Sequence, residues 1–322
     1  MQFPKSFGRR FCIFVDTEEE FDWRAPRSRE ATSTTAIRHL PEFQRLMDAH
    51  GIEPCYLIDY PVADNKDSAE VMRSLHAGGR CAIGTQLHPW VNPPFDEDLT
   101  TENSFVGNLP VELERAKLEM LTRRIETAVG VRPIVYRAGR YGIGPNTAAL
   151  LESLDYRVDT SVRPGFDYSH EGGPTFLGRD PRPYWAGPTG SLIELPLGAT
   201  YTGQLRRYGR WLIGDGRRNP RRIAMLARFG LLARVALTPE DMPIEDVASA
   251  VRWMARDGVH LFSFSFHSPS LAPGHTPYVR NSGELNDFYR WWDSLLALLD
   301  RMKIAPASVD DIVAAADSAR AG

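Results

Sequence analysis

The chain has 322 residues, 43% of them hydrophobic and 25% charged, an ordinary globular composition with enough apolar material for a large core. Its formal net charge of -3 gives no global attraction for nucleic acid, and no uninterrupted apolar run is long enough to span a membrane. The first twenty residues, "MQFPKSFGRRFCIFVDTEEE", end their apolar run in acids rather than at a small-residue cleavage site. Cys12, Cys55 and Cys81 are isolated within apolar segments, so the expectation is a cytoplasmic chain with reduced, buried thiols.

The elements alternate in type. "FCIFV" (residues 11–15) reads as a strand, and 36–50 follow with helical spacing at Leu40, Phe43 and Leu46 before Gly51 stops the helix. Strands are predicted at 54–60 and 81–88, with a helix over 67–79 between them. A polar, proline-containing loop (92–108) leads to the clearest helix, 110–130, with Pro near its start and Gly at its end. Then come a strand (133–139), a helix (144–156), and strands at 158–162, 191–197 and 260–267, followed by a long helix over 284–303. Repeated strand–helix units predict one domain over 1–322, an α/β fold of the distorted (β/α)7 parallel-barrel type. One segment breaks the rhythm. Residues 205–234 hold nine arginines against the single acid Asp215. This basic insert, at about 205–240, reads as a pair of amphipathic surface helices or as a peripheral membrane contact.

Active residues of such barrels cluster at the C-terminal ends of strands. Those ends carry Asp16 and Glu18, Gln86 and His88, Arg137 and Arg140, Asp159, and His267. In a strand, alternate residues share a face, so Gln86 and His88 point the same way, as do Asp16 and Glu18. Taken singly, each has a bland reading: the "EEE" run as a solvated turn, each histidine as a core residue bonded to a carbonyl, Arg137 as a loop tie to Asp159. Taken together, carboxylates and imidazoles on one rim suit metal-assisted hydrolysis, in which a metal polarises a carbonyl and a carboxylate takes a proton from water.

The blocks "FVDTEEEFD", "AIGTQLHPW", "YRAGRYG" and "FSFHSPSL" resemble, in the same order, those of the polysaccharide deacetylases, the NodB-homology enzymes of carbohydrate esterase family 4, with most likeness to a WalW-like branch. The resemblance covers about residues 11–271. It implies a distorted barrel, a divalent metal (most often zinc) and removal of acetyl groups from sugars, with an acetylated carbohydrate as partner. Block by block it implies Asp16 as general base and Glu18 and His88 as metal ligands. It also implies Arg137 as a residue tuning the base, with Asp159 or Asp167 behind it, and His267 as general acid. Trp23, Trp90, Tyr141 and Tyr168 would stack on sugar rings, and Asp159 would stand among the substrate contacts. The chain departs from the family at its metal block. Where the family has two histidines four apart, this sequence has Gln86 and Trp90, with His88 between them. Three outcomes follow: Glu18, His88 and Gln86 hold the metal; a histidine from elsewhere, such as His275, completes the set; or the site is lost and the protein binds sugar without cleaving it. A small-amide hydrolase on the same barrel is a further alternative.

Overall fold

The structure, a computed structural model, describes residues 1–213 and 220–321. Eleven strands are present among them: β1 (Arg10–Thr17), β2 (Cys55–Ile58), β3 (Ala82–Leu87), β4 (Val135–Ala138), β5 (Val158–Asp159), β6 (Tyr184–Ala186), β7 (Leu192–Glu194), β8 (Ala199–Thr202), β9 (Ala233–Ala236), β10 (Leu261–His267) and β11 (Ala305–Pro306). The main sheet runs β10-β1-β2-β3-β4-β5-β7-β6, with β11 beside β1; every pairing in it is parallel except β6 with β7. It curls into an incomplete barrel. No ladder joins β7 to β10 among the described residues. Instead Gly198 N–H donates to the Ser263 carbonyl (3.0 Å), and Ser265 N–H to the Leu237 carbonyl (3.1 Å), so the ends of the β8–β9 hairpin stitch the gap. A Cβ on Gly198 would lie 2.6 Å from the Ser263 oxygen, which is why only glycine permits this approach.

Strand alternation divides the side chains cleanly. In β1, Phe11, Ile13 and Val15 face out, and in β10 Phe262, Phe264 and Phe266 do the same. They pack under helices α1 (Leu40–Ala49), α3 (Lys66–Ala77), α4 (Val111–Val129), α8 (Ile244–Arg256) and α9 (Ser282–Arg301), with the short α2 (Tyr60–Asp64) and α5 (Thr147–Ser153) filling between. Cys12, Phe14, Cys55, Leu57, Val135, Val158 and Ile193 face in, and Phe7 and α10 (Val309–Ala321) close the floor. The three thiols are free and buried, as expected, and burial pushes Cys12 and Cys81 up to about 12. That same inward set continues upward into Asp16, Gln86, Arg137 and His267, so the floor is apolar and the mouth is polar.

The sequence reading placed the main strands and four of the long helices. It assigned no element to α2, α8 or α10, nor to β6, β8, β9 and β11. The segment at 158–162 forms a ladder only at Val158 and Asp159; beyond them single backbone bonds remain, from the Thr160 N–H to the Tyr136 carbonyl (2.9 Å) and from the Leu197 N–H to the Val162 carbonyl (2.9 Å). In the basic insert, α6 (Gly209–Ile213) and α7 (Pro220–Arg228) form the expected helix pair. Residues 214–219, which include Asp215 and two of the nine arginines, lie outside the described residues. No helix among the described residues is long and apolar enough to cross a membrane.

Candidate active site

Register brings the inward polar residues together. Asp16 lies level with His267 across β1 and β10, and Gln86 lies level with Arg137 across β3 and β4. A half-enclosed cavity of about 150 Å3 opens over them; Asp16, Glu18, Gln86, His88, Arg137 and His267 all line it. Six residues that the sequence places at four separate strand ends therefore share one chamber.

One side of the chamber is a chain of ion pairs. Arg137, fully buried, pairs with Asp16 Oδ1 and also donates to the Thr160 carbonyl (3.0 Å) and Thr160 Oγ1 (3.2 Å). Asp16 Oδ2 faces His267 Nε2 at 3.6 Å. The far nitrogen of the ring, Nδ1, lies 2.7 Å from Glu240 Oε2, while Glu240 Oε1 accepts from the His267 N–H (3.1 Å) and Ser270 Oγ (2.6 Å). Burial works against an imidazolium here, but Glu240, then Glu18 and Asp16, overcome it and raise His267 to about 10. Arg137 thus ties down Asp16, not Asp159 as the bland reading had it, because Asp16 stands on the inward face and Asp159 does not.

The opposite side is built on His88. Its Nδ1 meets Glu19 Oε2 at 2.8 Å, and Trp90 Nε1–H donates to Glu19 Oε1 (2.8 Å) while its ring stacks on the imidazole at 4.4 Å. Burial lowers His88 to about 4, so the ring is neutral; Nδ1–H donates to Glu19 and the Nε2 lone pair faces the chamber. There it meets Glu18 Oε2 at 3.5 Å, and Gln86 Nε2–H donates to the same oxygen (3.1 Å). Glu18 Oε1 and Gln86 Oε1 are buried without a hydrogen-bond partner. An acceptor nitrogen opposite a carboxylate, with two unpartnered oxygens beside them, calls for a proton or a cation among them. Burial first, then the neighbouring Glu19, Asp16 and Asp59, hold the Glu18 carboxyl well above its usual range, against the pull of His267. The close approach of β4 depends on Gly139, where a Cβ would lie 2.3 Å from His88 Cδ2.

A second group, Glu19, Asp59 and His88, also has its donor atoms within 4.8 Å of one another. Its oxygens are already engaged: Glu19 by His88 and Trp90, Asp59 Oδ2 by the Glu19 N–H (2.7 Å), and Asp59 Oδ1 by the Val62 N–H (2.9 Å) at the start of α2. This group works as a shelf that orients His88, whereas the unpartnered acceptors of Glu18 and Gln86 fit a divalent ion better. An amide oxygen and a carboxylate are hard donors, so the set suits zinc less strictly than two imidazoles would.

Several sequence expectations change here. The "EEE" run is not a solvated turn: Glu18 faces the chamber, Glu19 holds His88, and Glu20 accepts from Ser33 Oγ (2.7 Å), Thr35 Oγ1 (2.8 Å) and the Ala36 N–H (2.5 Å). His275 does not join the ligand set; its Nδ1 faces Glu20 at 3.4 Å in a neighbouring groove. Tyr141 does line the chamber, on a backbone where Arg140 and Tyr141 both have positive φ (55° and 60°), a strained turn of the kind found at functional sites. Trp90 offers the chamber little surface, since it is buried against His88 and Glu19. Asp159 is not brought to the chamber at all. Val158 points inward, so its neighbour points out, where Asp159 accepts from the Ser161 N–H (3.0 Å) and hydroxyl (2.5 Å); burial raises it to about 6. Sequence reasoning missed Glu240, Glu19 and Asp59. Glu240 follows β9, which the arginine-rich segment disguised. Glu19 carried a signal in its alternation with Glu18, since consecutive residues leave on opposite sides.

Among solved structures, the chain superimposes on a protein described as a probable polysaccharide deacetylase from Pseudomonas aeruginosa, with a TM-score of 0.52, 13% identity and coverage of 97% of this chain and 92% of that one. The chain has the fold of the polysaccharide deacetylases. The chain also superimposes on Puue allantoinase (TM-score 0.53, 15% identity, coverage of 98% of this chain and 93% of that one). It superimposes as well on a branching enzyme from the archaeon Thermococcus kodakaraensis (TM-score 0.50, 12% identity, coverage of 94% of this chain and 70% of that one). No protein-family profile and no curated protein matches the sequence. The structures it superimposes on are described with different activities, so likeness of fold does not choose between them and the chamber's own residues carry the functional reading.

Proposed function

We propose that the protein is a hydrolase that removes an acetyl group from an N-acetylated sugar, with a divalent metal held by Glu18, Gln86 and His88 Nε2, zinc being the metal that the motif likeness implies. The observation that carries this reading is the Glu240–His267–Asp16–Arg137 chain standing in one chamber with Glu18, Gln86 and His88. When bound, the metal supplies Lewis acidity to the acetyl carbonyl and to the attacking water. Asp16, fixed by Arg137, takes a proton from that water as it adds to the carbonyl. His267, positively charged up to about pH 10, then gives its proton to the nitrogen as the carbon–nitrogen bond breaks, and acetate and the free amine leave. Glu240 holds the ring so that Nε2 faces the reacting atoms. Assignment to the WalW-like branch rests on the motif likeness.

Release of acetate from N-acetylated sugars tests the activity. Metal loading tests the ligand set: the chain stripped with chelator should take up about one zinc in a calorimeter. Glu18→Gln combined with His88→Ala should lose that uptake while still melting cooperatively. Equal uptake by that variant would move the metal elsewhere, the Glu19–Asp59 shelf being the next candidate. A small-amide hydrolase is the second reading. The chamber's small volume favours it, and cyclic amides assayed beside acetamido sugars separate the two.

The basic insert supports peripheral contact with an anionic membrane as part of the same reading. Tyr208, Trp211, Met225 and Phe229 are 61%, 82%, 54% and 69% exposed, four of the six exposed large hydrophobics among the described residues, and they sit among the arginines. The chain should sediment with phosphatidylserine vesicles and not with neutral ones, and Trp211→Ser with Phe229→Ser should release it. Equal recovery on both vesicle types would remove this contact.

A further inference from the structure

Resting on that reading, we infer that the substrate is acidic: an N-acetylated sugar, or a residue of one, that also carries an oxyanion, which Arg27 and Arg163 bind. The chamber wall holds four arginines, Arg27, Arg137, Arg140 and Arg163. Two are matched. Arg137 pairs with Asp16, and Arg140 with Glu171 and Ser104. His267 is matched as well, by Glu240. Arg27 and Arg163 have no ion pair among the described residues, and the Nε–H of each is buried without a hydrogen-bond partner.

Both guanidinium groups are nevertheless held in place. Arg27 lies over the rings of Phe21 (4.9 Å) and Trp90 (5.2 Å). Arg163 lies between Tyr141 (4.9 Å) and Phe166 (3.9 Å), and its Nη1–H donates to the Tyr168 hydroxyl (3.1 Å). A planar fork fixed by aromatic faces, with donors left open, is how arginine receives a carboxylate, sulfate or phosphate.

The charge balance points the same way. After the matched pairs are set aside, Glu18 is the one acidic residue of the chamber wall left beside the two arginines Arg27 and Arg163. Glu19 and Glu171 lie close enough to Arg27 to offset part of its charge, but both are committed, to His88 and to Arg140. Around Arg163 the polar neighbours are tyrosines: Tyr141, Tyr168 and Tyr278. A bound divalent metal would make the surplus larger. A neutral acetamido sugar leaves these donors unmet, whereas an acidic one satisfies them and gains orientation for its acetyl group within the chamber.

Binding is measured by calorimetry on the whole chain with N-acetylglucosamine, its 6-phosphate, its 6-sulfate and the corresponding uronic acid. At least one acidic sugar should bind tenfold or more tightly than the neutral one, and which arm wins identifies the oxyanion. Arg27→Gln and Arg163→Gln should each cut that preference severalfold, with Arg163→Lys intermediate because it keeps the charge and loses the fork. A second measurement needs no sugar. Inorganic sulfate, at matched ionic strength against chloride, should raise the melting temperature of the wild-type chain more than that of the Arg27→Gln/Arg163→Gln double variant. Equal affinity for neutral and acidic sugars, or a preference that survives both substitutions, overturns the inference while leaving deacetylation standing. If no sugar is deacetylated but sulfate still stabilises through the two arginines, the deacetylase reading fails and the oxyanion site remains. If sulfate protects the double variant as well as the wild type, the site is overturned on that result alone.

Discussion

Asp16→Asn is expected to lower deacetylation by about a hundredfold to ten-thousandfold, the usual contribution of a positioned general base. The same change strips a buried guanidinium of its counter-ion, since Arg137 is fully buried and Asp16 nearly so. Breaking one side of a buried pair typically costs about 3–5 kcal/mol, and the amide, together with Thr160, will recover part of it. Two effects are therefore mixed in the single variant. The double variant Asp16→Asn/Arg137→Gln separates them. Removing both charges should restore much of the melting temperature and none of the rate. A folded Asp16→Asn protein that deacetylates at the wild-type rate would take Asp16 out of the chemistry.

Glu240→Gln should move the alkaline limb of the rate profile. In the wild type, His267 stays protonated up to about pH 10, because Glu240 outweighs the cost of burial. The general acid is therefore present throughout the neutral and mildly alkaline range. Glutamine keeps the bonds from the His267 N–H and Ser270 Oγ but removes the charge. The limb should then fall by at least roughly one pH unit toward the ordinary imidazole value near 6.5. The linkage to stability follows the raised pKa. The His267–Glu240 pair stabilises the fold in full below about pH 6.5, and that contribution fades as pH rises through about 10. The variant should thus lose stability at neutral pH and differ little from the wild type above pH 10. Identical alkaline limbs in the two proteins would show that His267 is not the proton donor. A rate lost equally at every pH would mean that Glu240 acts on geometry alone.

The parallel between these two residues explains how the chamber works. Each functional side chain on this wall is gripped from behind by a partner of opposite charge: Asp16 by Arg137, His267 by Glu240. On the other wall His88 is gripped by Glu19, which is itself held by Trp90 and backed by Asp59. Such backing fixes the tautomer and the direction of each ring before substrate arrives, which lowers the cost of organising the site during the reaction. The polar groups left with an unpartnered atom are Glu18 and Gln86 at the ligand set and, elsewhere on the chamber wall, Arg27 and Arg163. They are the ones whose partners would come from outside the chain.

Local sequence determined a great deal of this protein. Alternation in "FCIFVD" sends Phe11, Ile13 and Val15 to the helices and Cys12, Phe14 and Asp16 to the barrel, and in "FSFSFH" it sends the three phenylalanines to the helices and His267 to the inner side. The same period places Gln86 and His88 together. Period-2 reasoning also had the means to exclude Asp159 from the chamber, had the inward face of β5 been fixed by Val158. What sequence did not determine is which charges meet. The Arg137–Asp16 pair spans 121 positions, and Glu240 reaches His267 from a hairpin that closes the barrel's gap. Neither pairing leaves a local trace, because periodicity reports the face on which a side chain stands and not the strand that stands opposite. The "EEE" run shows the limit most plainly. Three identical residues, of which the sequence singled out only Glu18, go to three different environments, because the chain leaves β1 there and each carboxylate turns toward a different element. Burial, and with it the raised carboxyls, the neutral His88 and the charged His267, belongs to the tertiary structure alone.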